Sequence, residues 1–342
     1  MNYLGAQDYQ IYTNQGDIPK GNLANHNKSD IAGFRVKHNS SLDFPSSWKE
    51  SWLHDLQDIY SKHSDINIFL SGGADSSTVT LGFLECGYDV NHTIILFKDH
   101  DYICNAREVK EAFKLAGKYR IKYDVLEINV LDFLDAWKTE KKYSKYSGLV
   151  MDTLLQLYSL TRVDPSMYTI ISDQAPSWYL DKNNVWQWSF SLDQLLAPEF
   201  FNEFGINGHC RIFQTSPKTT SAWLCGEENY NLIDRNALNF KYNYGKTSKA
   251  EWKYSVYKIY GFDVEQYFVP KTSVQMFDKH KFLKQWHTLM DENKIATSKT
   301  NLQMAVPLNN YRQLILDGIA DTQWMDYKDF KIETINGPWY GS

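Results

Sequence analysis

Residues 66 to 77 read Ile-Asn-Ile-Phe-Leu-Ser-Gly-Gly-Ala-Asp-Ser-Ser. An apolar run of strand length passes directly into a glycine pair, an acid and two hydroxyls, and a helical pattern follows. That order constrains the chain more than any other stretch. Gly72 and Gly73 lack Cβ atoms, so the backbone can turn tightly there. Its N–H groups then meet anionic oxygens at a helix N-terminus, where the dipole also favours negative charge. Ser71, Ser76 and Ser77 add hydroxyls around Ala74, and Asp75 is suited to hold a magnesium ion between protein and phosphates. A Walker-type loop would carry a lysine after its second glycine, and none follows Gly73. The dinucleotide fingerprint needs three spaced glycines and is also unmatched.

The residues around this loop alternate between strand and helix. Trp48, Trp52, Leu53, Leu56, Ile59 and Tyr60 recur at helical spacing after an N-cap at Ser46 or Ser47. Strand 66–70 leads to a helix at 75–86 with a glycine stop at Gly87. Strand 93–97 then precedes a helix at 104–117, and strand 123–130 a helix at 148–161, before a fourth strand at 167–171. Such alternation predicts an α/β fold with a parallel sheet, right-handed crossovers, and a ligand at the carboxyl ends of the strands. Residues 1–45 are polar and turn-rich and read as a β-rich lead-in; residues 46–180 form the α/β domain. Residues 181–342 read as mainly helical and aromatic-rich, with helices at 217–225, 247–260, 278–291 and 307–318.

With 342 residues there is room for more than one unit, and a formal net charge of −5 argues against a nucleic-acid or membrane-surface partner. A small-molecule partner is expected. Cys86, Cys104, Cys210 and Cys225 form no C-x-x-C pair, so neither a zinc knuckle nor a disulfide framework is indicated. With no apolar stretch of membrane-spanning length and no signal-like N-terminus, the expected location is the cytoplasm.

The string Leu70-Ser71-Gly72-Gly73-Ala74-Asp75-Ser76-Ser77 resembles Ser-Gly-Gly-x-Asp-Ser, the pyrophosphate loop of the N-type ATP pyrophosphatase (PP-loop) family. The resemblance implies an adenine nucleotide alpha hydrolase-like (HUP) sheet, with ATP and Mg2+ as the groups it binds. It also implies cleavage between the α and β phosphates, and an adenylated intermediate that goes on to a C–N or C–S bond. Within the family the layout of residues 47 to 290 is most similar to the synthetase domain of asparagine synthetase. Adenine would then be recognised by backbone groups near Phe97 and Lys98. The fourth strand would present Ser172 to the nucleotide and Asp173 to metal or ribose, although Ser172-Asp173-Gln174-Ala175 lacks the family's glycines and second aspartate. Relatives direct a lysine at the leaving pyrophosphate; Lys271, after Pro270, and Lys246, after Gly245, are the candidates. Asparagine synthetase begins with a cysteine nucleophile in a glutaminase domain, whereas here Asn2 follows Met1. The expectation is therefore a chain without that domain, using ammonia, a free amine or a separate ammonia-supplying partner, with a homodimer among the assemblies allowed. The overall layout also resembles stand-alone synthetase-like proteins encoded in bacteriophage genomes.

Other constellations have plainer explanations beside functional ones. Asp99-His100-Asp101 suggests a metal site, but three consecutive residues cannot readily converge on one ion, which favours a solvated loop. Lys138, Lys141, Lys142 and Lys145 interleave with Tyr143 and Tyr146, as in an RNA grip or a solvated linker. Trp178, Tyr179, Trp186 and Trp188 could wall an acceptor pocket or pack between domains. Two other functions stay open: nucleobase or tRNA modification, weakened by the lack of paired cysteines, and nucleotide binding without turnover.

Overall fold

In a computed structural model of the chain, the described residues are 7–19, 31–38, 47–144, 146, 151–172, 177–180, 186–191, 193–210, 212–214, 216–226, 256–264, 300–307, 325–327 and 332–334. The described residues before 47 form strands. Strands β1 (Gln7–Thr13), β2 (Gly16–Asp17) and β3 (Ile31–His38) pair antiparallel.

Helix α1 (Trp48–Lys62) starts at Ser47, whose hydroxyl accepts from the Glu50 N–H. Its Trp48, Trp52, Leu56 and Ile59 are buried at the i, i+4 spacing that makes one inward face. Strand β4 (Ile66–Phe69) runs into α2 (Ala74–Glu85), which closes at Gly87 in a left-handed conformation, φ +77°, as the glycine stop predicts. Next come β5 (Asn91–Asp99), β6 (Tyr102–Ile103) and α3 (Ala106–Tyr119). Helix α3 runs past the expected stop at Gly117, and Arg120 takes the left-handed capping position instead, φ +54°.

After β7 (Asp124–Asn129), the Asn129 side chain caps α4 (Val130–Thr139) by accepting from the Leu131 N–H. The end of α4 and α5 (Lys141–Ser144) occupy the lysine-rich stretch whose sequence suits a solvated linker or an RNA grip. Tyr143 and Tyr146 are buried, and both rings pack against Phe200 and Phe204. They are core residues and leave no aromatic face for stacking bases. Helix α6 (Met151–Leu160) and strand β8 (Tyr168–Ile170) then complete the alternation.

The strand rhythm does not end there. A hairpin spans the expected boundary at residue 180: β9 (Ser177–Leu180) ends the α/β stretch, and β10 (Trp186–Ser191) lies in the region expected to be mainly helical, with Trp178 and Trp188 as register partners. Helix α7 (Asp193–Glu203), β11 (Gly208–His209) and α8 (Pro217–Cys225) follow, the last with the predicted boundaries. β12 (Thr300–Pro307) and β14 (Ile332–Thr334) extend the hairpin into an antiparallel sheet of order β14-β12-β10-β9, and β13 (Met325–Tyr327) pairs β3. Pro307, placed at a helix start by sequence, ends β12. Of the other expected helices, residues 256–259 are helical, while 278–291 and 308–318 lie outside the described residues.

The fold class is α/β with a mostly parallel central sheet. Its order is β11-β8-β4-β5, β7 pairs the far edge of β5, and β6 alone is antiparallel. Helix α1 packs on α2 closely enough that a Cβ on Gly82 would lie 2.7 Å from Trp52 and Leu56. Next to Trp52 on that face, Trp48 meets Trp223 of α8, Tyr257, Tyr260 and Phe262, and these rings form one aromatic core. Among the described residues, no helix is long and apolar enough to cross a membrane.

A polar clasp crosses that core. Asp55 of α1 accepts from the hydroxyls of Thr219 at 2.5 Å and Ser216 at 2.9 Å, and Ser216 caps α8. Burial pushes the Asp55 pKa up, against the pull of these two hydrogen bonds. Asp55→Ala should lower stability by about 1–3 kcal/mol in urea titrations, because buried hydroxyls lose their acceptor. Asp55→Asn keeps an acceptor without the desolvated charge and should stay within about 1 kcal/mol of the parent. Equal losses in both variants would mean the clasp does not depend on that acceptor.

Candidate functional site

The central sheet has one topological switch point. The chain leaves β4 for β5 on one side, and β8 returns on the other. In open α/β sheets the crevice at the carboxyl ends of such strands is where ligands sit. The Ser71–Ser77 loop leaves β4 there, and Ser172 lies just beyond β8.

The loop is built on its glycines. Gly72 has φ +81°, and a Cβ there would lie 2.4 Å from the Glu108 carbonyl oxygen and 2.6 Å from the Ala112 nitrogen, both backbone atoms of α3. Gly73 is the N-cap of α2 and contributes no side-chain cap, so the N–H groups of the first turn are not shielded by it. The serines brace the turn. Ser71 Oγ lies 2.9 Å from Ser76 Oγ, Ser76 Oγ donates to the Gly73 carbonyl at 3.2 Å, and the Gly73 N–H donates to Ser71 Oγ at 3.3 Å. Ser76 and Ser77 are buried, and the Ser77 hydroxyl has no hydrogen-bond partner. Two of the hydroxyls read as ligand donors are thus turned inward. Ser71, Gly73 and Asp75 are the half-buried positions of the loop.

Asp75 is held by a residue that its sequence does not single out. The Tyr257 hydroxyl donates to Asp75 Oδ1 at 2.6 Å, and the Tyr257 ring is fully buried against Trp48, Phe213 and Trp223. The aromatic core therefore fixes the acid at the mouth of the loop. Nothing local marks Tyr257 among the chain's 23 tyrosines.

The adjoining cleft is lined by Ser71, Thr93, Phe97, Asn105, Gln156 and Ser172, with Glu108 at its side. Asn105, Glu108 and Gln156 were not singled out by sequence; Asn105, just before a helix, looks like an ordinary N-cap. Phe97 lines the cleft, but its backbone is already engaged: the N–H donates to Asn105 Oδ1 at 2.9 Å, and the carbonyl accepts from the Cys104 N–H at 2.7 Å. Lys98 pairs with Glu127 at 3.0 Å. Asp99-His100-Asp101 forms a turn in which His100 contacts Asp99 at 2.7 Å, and no group of three or more metal-ligating side chains occurs among the described residues. Asp173, Lys246 and Lys271 lie outside the described residues.

The geometry suits a phosphate group. A Cβ-free turn, the N-terminus of a twelve-residue helix and a fixed carboxylate converge at one strand end. Magnesium needs only one or two protein carboxylates besides phosphate oxygens, so Asp75 fits it without a dedicated cage. Such an ion would offset the repulsion between bound phosphates and the carboxylates of Asp75 and Glu108.

No family model matches the chain, and no curated protein matches it. Among solved structures, the chain is 15% identical to the NMN synthetase of Francisella tularensis, with a TM-score of 0.31, covering 67% of this chain and 100% of that one. It is 11% identical to the U34-tRNA thiolase of Methanococcus maripaludis, also with a TM-score of 0.31, covering 81% of each chain. A third similarity, at 12% identity and a TM-score of 0.29, is to the glutamine-dependent NAD+ synthetase of Acinetobacter baumannii in complex with ADP; it covers 37% of this chain and 25% of that one, so this chain spans about a quarter of that protein's length. Likenesses at these scores carry no argument about activity.

Proposed function

We propose that the chain is an ATP-dependent, AMP-forming ligase of the PP-loop type. The observation that carries this reading is the Ser71–Ser77 turn, with Gly72 seated on the α3 backbone and Gly73 opening α2 at the switch point. An oxygen of the acceptor, a carboxylate or amide-type carbonyl, attacks the α-phosphorus of substrate ATP, and the bond to the β-phosphate oxygen breaks with release of pyrophosphate. An amine or ammonia then attacks the activated carbon, forms the C–N bond and releases AMP with loss of a proton. The turn and the α2 dipole hold the departing phosphates, where negative charge grows. Asp75, oriented by Tyr257, would hold magnesium, which neutralises that charge when bound.

Among the described residues, no lysine or arginine lines the cleft. A cation from the later part of the chain therefore suits the departing pyrophosphate, and Lys271 and Lys246 are the candidates. In its finer form the reading is asparagine-synthetase-like: an amino-acid carboxylate as acceptor, ammonia or a partner-supplied amine as donor, in the cytoplasm. Binding of nucleotide without turnover is the reading this one must exclude.

The test is release of AMP and pyrophosphate from Mg-ATP across a panel of amino acids and other carboxylates, with and without ammonium. The expected result is acceptor-dependent AMP formation that falls about a hundredfold or more in Asp75→Asn, the scale of losing one electrostatic contact to a developing charge. Tight Mg-ATP binding with no AMP from any acceptor would favour the non-catalytic reading. Undiminished turnover in the variant would remove Asp75 from the site.

A further inference from the structure

Helix α3 is covered on one flank and open on the other. On the covered flank the Gly72 turn rests against the backbone of Glu108 and Ala112. Successive residues step about 100° around a helix, so Ala106, Lys110 and Phe113 fall on the far flank. There an open groove is lined by Ile103, Ala106, Val109, Lys110, Phe113 and Lys114. The Phe113 ring lies 5.4 Å from that of Tyr123, which joins the groove to the start of β7.

Strand β7 borders the sheet on this side. It pairs with β5 from Asp124 opposite Thr93 to Asn129 opposite Lys98, and no strand pairs its outer edge among the described residues. The side chains agree that the edge is open. Val125 lies opposite Ile94, which is fully buried beneath α3, yet Val125 is 45% exposed. Tyr123, two residues earlier and so on the same face, is 43% exposed. Single exposed apolar side chains are ordinary on protein surfaces. Here two of them adjoin an apolar groove and a strand edge with outward N–H and C=O groups, and an edge of that kind is a template for another strand.

The two features together define the ligand. An extended segment laid along β7 would satisfy the outward backbone groups, and every second side chain would fall on α3's face, beside Tyr123 and Val125. Charge decides what those side chains are. Lys98, Lys110 and Lys114 stand against Glu127 and Glu111 here; Glu127 pairs with Lys98, and Glu111 with Lys114. Lys110, exposed on the rim of the groove, has no ion-pair partner among the described residues. The remaining acid of β7, Asp124, lies opposite Thr93 and so on the other face of the sheet. A second copy of the chain therefore fits poorly. Two-fold pairing of β7 with itself brings the same lysine-bearing flank to both sides, with no unpaired acid on that face to meet Lys110.

We propose that the β7 edge and the α3 groove dock an extended segment of a partner protein, apolar and acidic on its groove-facing side. The segment adds an outer strand to the central sheet, sets its apolar side chains against Tyr123, Val125 and Phe113, and points a carboxylate at Lys110. Backbone pairing supplies the affinity, and the groove with its lysine supplies the choice of sequence. The site stands apart from the Ser71–Ser77 loop and does not depend on the nucleotide reading of it.

The probe is the capped peptide Thr-Val-Thr-Glu-Thr-Val-Thr, which places its valines and glutamate on a single strand face. Beside it stand a twin with lysine for glutamate and a twin N-methylated throughout. In 1H–15N spectra of the full chain, the backbone signals of Asp124–Asn129 should shift with the glutamate peptide. The lysine twin should bind at least about fivefold more weakly, the scale of one interface side chain that matters. The N-methylated twin should move none of these signals, and Lys110→Glu should reverse the order of the two charged peptides.

Signals of β7 unmoved by the glutamate peptide, or equal affinity for both charged peptides, would overturn the proposal. So would either of two other occupants. A second copy would show as a dimer in sedimentation that Val125→Glu dissociates, and the chain itself as slow exchange of the outward β7 amides without peptide. None of these outcomes bears on the loop, whose test is nucleotide binding and AMP release.

Discussion

Gly72→Ala should be among the most damaging single-methyl changes in the chain, lowering stability by about 2–5 kcal/mol and abolishing the proposed ATP turnover. Two independent costs meet there. The left-handed backbone at φ +81° disfavours any Cβ, by about 1–2 kcal/mol. The added carbon would lie 2.4 Å and 2.6 Å from backbone atoms of α3, which cannot swing aside as a side chain could. Gly87 supplies the control: it has a similar φ of +77°, yet a Cβ there meets nothing within 4 Å. Gly87→Ala should therefore show the conformational cost alone. Urea unfolding of both variants measures the difference, which is the steric contact between the loop and α3. If the two variants lose the same stability, the loop is not seated on α3, and the account of the phosphate site loses its foundation.

Mild acid should destabilise the chain through His92, by about 2 kcal/mol at pH 5 relative to pH 7.5. His92 is buried near the amino end of β5, opposite Ile68, and burial pushes its pKa down from 6.5 to about 4. Neither ring nitrogen makes a hydrogen bond of normal geometry, so the neutral ring is the form the fold accepts. As pH falls below 6.5, the unfolded chain binds a proton that the folded chain refuses until about pH 4. The unfolded state binds more protons across that window, so stability rises with pH and is lost as pH falls through it. Asp55 acts in the opposite sense, because its raised pKa leaves the folded state holding a proton that the unfolded chain has released. Denaturation curves from pH 7.5 to pH 4.5 should show the loss in the parent, and His92→Leu should lack it, leaving the weaker, opposite trend from Asp55. A variant with the parent's slope would place the pH sensitivity elsewhere. His92 lies at the end of the strands away from the cleft, so this loss is separate from any pH dependence of turnover.

Where the sequence is legible, local physics and tertiary demand coincide. The Trp48–Ile59 face, the β4-loop-α2 turn and the Gly87 cap each follow from a period or a backbone requirement that the residues state by themselves. The errors fall where a local signal is outvoted. Gly117 looked like a helix end, but α3 continues and Arg120 takes the left-handed cap. Tyr143 and Tyr146 sit in a lysine-rich stretch that reads as solvated, yet Phe200 and Phe204, far along the chain, bury them. The sequence does not announce β12, because its partner β10 lies more than a hundred residues away and no local period signals a partner so remote.

The sequence by itself determined the glycine turn that follows β4. Glycine's lack of a Cβ, the apolar strand before it and the helix after it are local properties, and they fix the α/β class and the end of the sheet that carries the site. Only the tertiary structure decided how that turn is armed. Ser76 and Ser77 face inward because α2 is buried along most of its length, Asp75 is oriented by Tyr257 from 182 positions away, and Asn105 leaves its own helix for β5 because β4 stops short of Ile95. Each depends on which strand ends where and which helix lies above it, and these are relations between distant segments that no local pattern encodes.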